Sequence, residues 1–488
     1  MKRNDTFIRT YPLAGVILFL VLALAPLGFS VAVGAQDAVK LVSDRTALMA
    51  LADCLCLSAA CTLAALLLGL PGARIMARTA FPCKGILRWL YCVMTLVPVF
   101  YIRLCCKVVP FPSIGKPWMW EGAVLALLSV PSVVFITGEF WRRLDPGMEQ
   151  CASSLKTPGG RIYRTITMPR IRAAATASAL YVFARCFTYM MAAKTTDDAL
   201  SSSLNVICAI IGLLVLIPLF ITADKAMCRK DRSKGLPQQK PCCAAGHIFV
   251  FIYVIVSLCV AAAPLVLILL KSIRTPEGFS FTAYMGLFKT VYTSGSRTFI
   301  CSLILLAGSL IISLLIALRI SYGASDSRFV LALALAPLAM GPYAFASGMR
   351  GLFAFIPSVP LIVPGILSHT VMTVPFMVLV LTPAVRRVPD TLRNVSMSLG
   401  YSESRSFMRM DRKLLGPHIA AACFAGAAAS LGDFGASFIS GLASVPVQID
   451  SFISTGDLQH ACALGFILTL ICLLSISIGR AIMRKSHV

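Results

Sequence analysis

The chain has 488 residues, of which 58% are hydrophobic and only 13% charged. Soluble domains carry about a quarter charged residues, so this composition excludes an ordinary soluble globular protein. The net charge of +24 does not mark a nucleic-acid binder, because the basic residues lie between apolar runs, where they set orientation in a membrane.

Apolar runs predict twelve helices, each long enough to cross a hydrocarbon core of about 30 Å. They fall at 11–34, 46–70, 86–106, 118–141, 173–193 and 204–223, then at 246–270, 298–318, 329–349, 360–385, 418–442 and 461–480. Lys2, Arg3 and Arg9 precede the first run, and Val33-Gly34-Ala35 resembles a cleavage site. That run is longer than the apolar region of a signal peptide, so it reads as an uncleaved first helix. Lys and Arg crowd alternate connections by about three to one, which places both termini in the cytoplasm.

Spans four and ten carry Pro131 and Pro375 at equivalent places. A proline there frees a carbonyl and bends the helix, which neighbouring helices can accommodate. Residues 224–245 are polar and basic with two prolines and no apolar period, and read as a tether. The outer segment 272–296 contains GFSFTAYMGLF and predicts a short surface helix. Span eleven, AAACFAGAAASLGDFGASFISG, is rich in small residues that allow close helix packing. Asp433 lies inside it. An ionisable group at that depth is costly and belongs beside a cavity or a partner. Gly432 and Gly435 flank it and permit a local break, so the three residues are candidates for lining a pathway. Asp53 in span two and Arg185 in span five are weaker candidates on the same ground. Most of the 18 cysteines sit within apolar runs, where cysteine behaves as a small hydrophobe. None has metal-ligand spacing with a partner CxxC or His pair, so no metal or cofactor is expected.

One stretch occurs twice. Ser129–Ala174 and Thr373–His418 align with an offset of 244 residues, half the chain. Val130-Pro131 meets Val374-Pro375, Arg142-Arg143 meets Arg386-Arg387, and Ser154-Leu155 meets Ser398-Leu399. Arg161 meets Arg405, and aromatic Tyr163 meets aromatic Phe407. Each copy leaves an apolar segment through Arg-Arg, passes about ten polar residues to Ser-Leu, turns, and re-enters through a basic stretch. The expectation is a short surface helix-turn-helix between two membrane helices. The period is too long for a solenoid. It predicts an all-α polytopic membrane protein of two homologous six-helix halves, 1–223 and 246–488, joined by the linker 224–245.

The repeated loop resembles the EAA loop of permease subunits of binding-protein-dependent ABC importers. The first copy offers Gln150-Cys151-Ala152, Ser154-Leu155 and Ile166-Thr167-Met168-Pro169; the second offers Asn394-Val395-Ser396 and Ser398-Leu399-Gly400. SLGDFGASFISG is similar to the segment after this loop in fused permeases of the iron(III) and thiamine type, which carry both halves on one chain. The first copy departs from the pattern with Lys156 in place of Gly and Glu149 one place early. The second lacks the glutamate and has Lys413 where the proline belongs. The resemblance implies a type I importer permease, multi-pass in a bacterial inner membrane. It implies two partners, a dimeric cytoplasmic ATPase and an extracytoplasmic substrate-binding protein, besides membrane lipid. Loops 143–170 and 386–416 would couple to the ATPase through Ser154, Leu155, Lys156, Ser398, Leu399, Gly400 and Tyr401. Gly400 suits a tight turn that Lys156 resists, so the second loop is the better-formed joint.

The chain contains no G-x-x-x-x-G-K-[ST] phosphate loop, so it is not expected to be an enzyme; hydrolysis would lie on the separate subunit. The competing reading is a twelve-helix secondary transporter of the major-facilitator kind. Such proteins often place an Asp-Arg signature between spans two and three, and the loop PGARIMARTAFPCKG holds no acid. A membrane-embedded enzyme would need convergent catalytic groups, and no Ser-His or metal arrangement is evident.

Overall fold

The computed structural model describes residues 14–26, 28–29, 45–82, 84–95, 99–108, 117–144, 147–194, 244–275, 278–290, 296–340, 342–386, 398–401 and 412–485, with single positions at 214, 218, 388, 391 and 395. The protein is an all-α, polytopic membrane protein. Seven helices among the described residues are long and apolar enough to cross a membrane. They cover seven of the twelve predicted spans.

The helices run in order as α1 (Ala14–Pro26), α2 (Arg45–Arg78), α3 (Lys84–Thr95), α4 (Val99–Val108), α5 (Pro117–Arg143), α6 (Gly147–Ser154), α7 (Gly159–Ile162) and α8 (Met168–Lys194). A π-helical turn, Tyr163–Thr167, joins α7 to α8. The chain continues as α9 (Ala244–Ile273), α10 (Thr282–Thr290), α11 (Ser296–Asp326), α12 (Arg328–Met340), α13 (Pro342–Ala354) and α14 (Ile362–Val385). It ends with α15 (Arg412–Leu431), α16 (Phe434–Ile439), α17 (Val445–Ser454) and α18 (Leu458–Lys485). A two-residue hairpin precedes α10, which is the short helix expected in 272–296.

Two predicted spans are described in two pieces each, the third as α3 and α4 with 96–98 outside the described residues, and the ninth as α12 and α13 with 341 outside them. At the end of α3, Arg185 Nη1 of α8 donates to Met94 O at 3.5 Å and Thr95 O at 3.3 Å. Tyr181 Oη adds a bond to Thr95 O at 2.8 Å. A cation at a helix C-terminus also complements the helix dipole. Span five is α8, 27 residues rich in Ala, Ser, Thr and Arg. Span six lies outside the described residues apart from Leu214 and Pro218, and so does the linker up to 243; its last two residues, Ala244 and Ala245, open α9.

Packing recurs along the chain. α2, α5 and α8 pack on one another, as do α11, α14 and α15. Phe19 of α1 is buried with Ile316, Ile320, Leu331 and Met377 of α11, α12 and α14. α9 packs chiefly on α18 and also touches α3, α4 and α5. There, Gly72 leaves room for Tyr253, whose Oη would lie 2.1 Å from any Cβ at that position. The Tyr253 and Tyr91 hydroxyls meet at 2.8 Å.

Buried hydroxyls are mostly spent on their own helices. Thr62, Ser129, Ser321, Ser368 and Thr373 each donate to the carbonyl four residues back. Such bonds satisfy polar atoms where water is excluded.

Candidate functional site

The first basic loop is a helix-turn-helix held to the bundle by one carboxylate. Glu149, in the first turn of α6, accepts from Thr167 Oγ1 at 3.0 Å and lies 3.6 Å from Arg78 Nη2 at the end of α2. Arg78 Nη1 also donates to Leu144 O at 3.1 Å. Tyr163 packs beside Trp141 of α5, and the Arg74 guanidinium lies 5.8 Å from its ring. The loop is therefore fastened to the ends of α2, α5 and α8 together.

α6 ends in a Schellman turn. Thr157 N donates to Ala152 O at 3.2 Å and Lys156 N to Ser153 O at 3.0 Å. The turn requires a left-handed residue, and Lys156 supplies it with φ 55°, alone among described non-glycine residues. Gly400, 244 positions on, has φ 81°. Lys156 thus adopts the turn that it was expected to resist. The next residue back is Leu155 in one loop and Leu399 in the other, 80% and 68% exposed. Ser154 bonds back to Gln150 O at 2.7 Å, so its hydroxyl shapes α6. Ser398 and Gly400 are exposed and Tyr401 is half-buried. Residues 402–411 of the second loop lie outside the described residues.

Trp89 Nε1 of α3 donates to Ser477 Oγ of α18 at 3.0 Å, and Ser475 Oγ donates to Phe424 O of α15 at 2.8 Å. These bonds tie α18 to both α3 and α15. Arg386 at the end of α14 donates to Ala324 O of α11 at 2.9 Å.

The helix of span eleven breaks at Gly432-Asp433. α15 stops at Leu431, and Asp433 caps α16 by accepting from Ala436 N at 3.2 Å. Its Oδ2 is buried without a hydrogen-bond partner. Gly435 is buried in the first turn of α16. Facing the break is His369 of α14, 2% exposed. Its Nδ1 meets Ser430 Oγ at 3.3 Å and its Nε2 meets Ser437 Oγ at 2.9 Å, so the imidazole spans the break from α15 to α16. Ser430 Oγ also meets Ser309 Oγ of α11 at 2.9 Å. Arg350 of α13 donates to Ile439 O at 3.0 Å and closes the far end of α16. His369 stands sixteen residues from Val385, which is about 24 Å of helix from the loop end.

His369 was missed by sequence reasoning, which saw only scattered histidines. The available signal was an ionisable residue in a proline-containing apolar span, a functional candidate by default. Asp53 is exposed on α2, and Arg185 caps α3; neither is brought to the break. Among the described residues, no group of three His, Cys, Asp or Glu side chains is placed to hold a metal.

The arrangement offers two things: a pair of exposed leucines, each before a left-handed turn, and a polar break within the bundle. No protein-family model, curated protein or solved structure matches the chain.

Proposed function

We propose that the protein is the permease of a binding-protein-dependent ABC importer, with twelve spans in two homologous halves on one chain. Both termini and both loops face the cytoplasm of a bacterium, and the chain lies in its inner membrane. The observation that carries the reading is the pair of left-handed turns at Lys156 and Gly400, each directly after an exposed leucine, Leu155 and Leu399. The packing of α2, α5 and α8, repeated by α11, α14 and α15, supports the duplication, as do the contacts of α1 with α11, α12 and α14 and of α9 with α3, α4 and α5.

In this reading the two leucines seat in grooves on a cytoplasmic ATPase dimer. Closure of the dimer on ATP pulls on α6 and its counterpart. Glu149, Arg78 and Thr167 transmit that pull to α2 and α8, and the halves rock about a central path. A soluble external protein delivers the substrate toward the polar break at Asp433.

Burying one leucine contributes about 1.5–3 kcal/mol, or roughly one to two decades of affinity. Pull-down in detergent of an ATPase bearing the phosphate-loop motif is the test. Wild type retains it, Leu155→Asp and Leu399→Asp weaken it, and the double variant loses it with helix content unchanged. The Leu399 variant is expected to lose more. Equal retention by wild type and the double variant overturns the coupling role.

One observation favours a second reading. The Asp433 carboxylate and His369 imidazole, placed together between membrane helices, suit an ion- or proton-coupled secondary transporter. Substrate uptake by purified protein in vesicles, driven by a pH gradient without ATP or a second protein, would establish that reading instead.

A further inference from the structure

A second charged cluster lies where α5 ends and the first loop leaves it. It gathers residues of α3, α5 and α18. Glu139 of α5 pairs with Arg88 of α3 and, at 3.3 Å, with Arg142 Nη2. Lys84, the first described residue of α3, donates to Thr79 O at 2.7 Å, with its ammonium 5.8 Å from the Phe81 ring. Arg480 of α18 is near enough to act, with Arg88 and Glu139, on the same thiol, Cys92. Two cations thus pair with one carboxylate, with Lys84 and Arg480 close by.

Their crowding is visible in Lys84. Partial burial, then the charges of Arg142 and Arg88, push its ammonium down to about 8, against a smaller opposing pull from Glu139. Positive charge held together at this cost is a standing demand for an anion. The cluster lies where three apolar helices end, at headgroup level for a membrane crossed by α5 and α18. Gly85 opens onto free space and Ile86, beside it, is 60% exposed. An anion here has apolar surface next to it, which a free phosphate leaves uncovered and an acyl chain covers.

We propose that Lys84, Arg88, Arg142 and Arg480 form a binding site for the phosphate headgroup of an acidic phospholipid, seated where α3, α5 and α18 meet. Basic pockets between membrane helices take such headgroups. The Arg88–Glu139 pair fixes the floor of the site, and Lys84 and Arg480 supply further charge beside it. Because α3 and α18 come from opposite ends of the chain, the bound lipid fastens them together. The proposal is independent of what the protein transports.

Phosphatidylglycerol is the probe, phosphatidylcholine the control, and lipid retained on the purified protein in native mass spectrometry the readout. Wild type retains phosphatidylglycerol in preference. Lys84→Gln/Arg480→Gln leaves the Arg88–Glu139 pair intact and weakens retention about thirtyfold, from roughly fivefold per cation removed. Lys84→Arg/Arg480→Lys retains the lipid as wild type does, which separates lost charge from lost fold. The pH profile is a further arm, with Arg88, Arg142, Arg480 and Glu139 the charges facing Lys84. Wild-type affinity is full below about 8 and falls as Lys84 loses its proton above it. Lys84→Arg removes that fall. Equal retention of the two lipids, an unaltered Gln double variant, or a flat wild-type profile overturns the proposal. So does displacement of the lipid by millimolar inorganic phosphate, which would assign the site to a soluble anion.

Discussion

α2, α5 and α8 form a three-helix layer, and α11, α14 and α15 form another of the same design, yet their interiors differ in chemistry. In the first, Ala65, Leu125 and Cys186 belong to one buried apolar cluster. In the second, the residues 244 positions on are Ser309, His369 and Ser430, joined in a chain of hydrogen bonds that continues to Ser437. The first layer has its own buried bond between α5 and α8, Thr137 Oγ1 to Ser178 Oγ at 3.1 Å, but no chain of side-chain bonds joins Ala65, Leu125 and Cys186, so three such helices pack without one at these positions. The polarity of the second layer therefore needs another reason, and it is placed against a helix break with a buried carboxylate.

The largest expected effect comes from making the second layer resemble the first. His369→Leu puts a side chain of Leu125's kind at the break, leaves Ser437 without its partner and leaves Ser430 with Ser309 alone. An orphaned buried hydroxyl costs about 1–3 kcal/mol, so the melting temperature in detergent falls. Adding Ser437→Ala removes the orphan, and replacing both partners by apolar groups is close to neutral. The double variant is expected to recover most of the lost stability and none of the transport. A single variant as stable as wild type would show that the imidazole does not hold α16.

Asp433 comes next, and its charge and its cap separate cleanly. Asn caps a helix as well as Asp does, whereas Ala loses about 1 kcal/mol. Asp433→Asn removes a buried charge whose Oδ2 has no hydrogen bond, so stability is held or raised while transport is lost. Asp433→Ala loses both. Undiminished transport in the Asn variant would reduce the residue to a cap.

Much of this architecture was legible in the sequence, and the exceptions share a cause. The surface helix-turn-helix, the short helix at 282–290 and the break at Gly432 all follow from local signals: turn residues, small residues, a charge in an apolar run. The partner of the last carbonyls of α3 does not. It is Arg185, ninety residues away on α8. The contact of α1 with α11, α12 and α14 was hidden for the same reason, since Phe19 meets its partners some three hundred residues later. His369 was visible as a residue, but its serines lie on two other helices. The carboxylate anchor of the first loop was seen only as a glutamate out of place. Positions 244 beyond Glu149, Arg78 and Thr167 hold Arg393, Tyr322 and Asp411, so that fastening is not repeated with the same chemistry.

The smallest effect sharpens the comparison of the loops themselves. Lys156 and Gly400 share a left-handed backbone, which an L side chain adopts at a cost of about 1–2 kcal/mol and glycine adopts freely. No heavy atom lies within 4 Å of a Cβ built at Gly400, and Lys156 is itself exposed. Substitution at either place therefore changes backbone preference and little else. Lys156→Gly should tighten the first turn and Gly400→Lys should loosen the second by a similar amount. Glycine also gains freedom in the unfolded chain, which trims the first effect below the second. The closing bond from Thr157 N to Ala152 O reports it directly. For about 1 kcal/mol, exchange of that amide slows roughly fivefold in Lys156→Gly, and amides after Gly400 exchange faster by a comparable factor in Gly400→Lys. Leu155 and Leu399 then differ in how firmly they are presented, and the swap of strain between the loops should shift ATPase retention toward the first. If exchange at Thr157 is unchanged by Lys156→Gly, the lysine carries no strain, and any unequal effect of the two leucines must come from the Glu149 anchor instead.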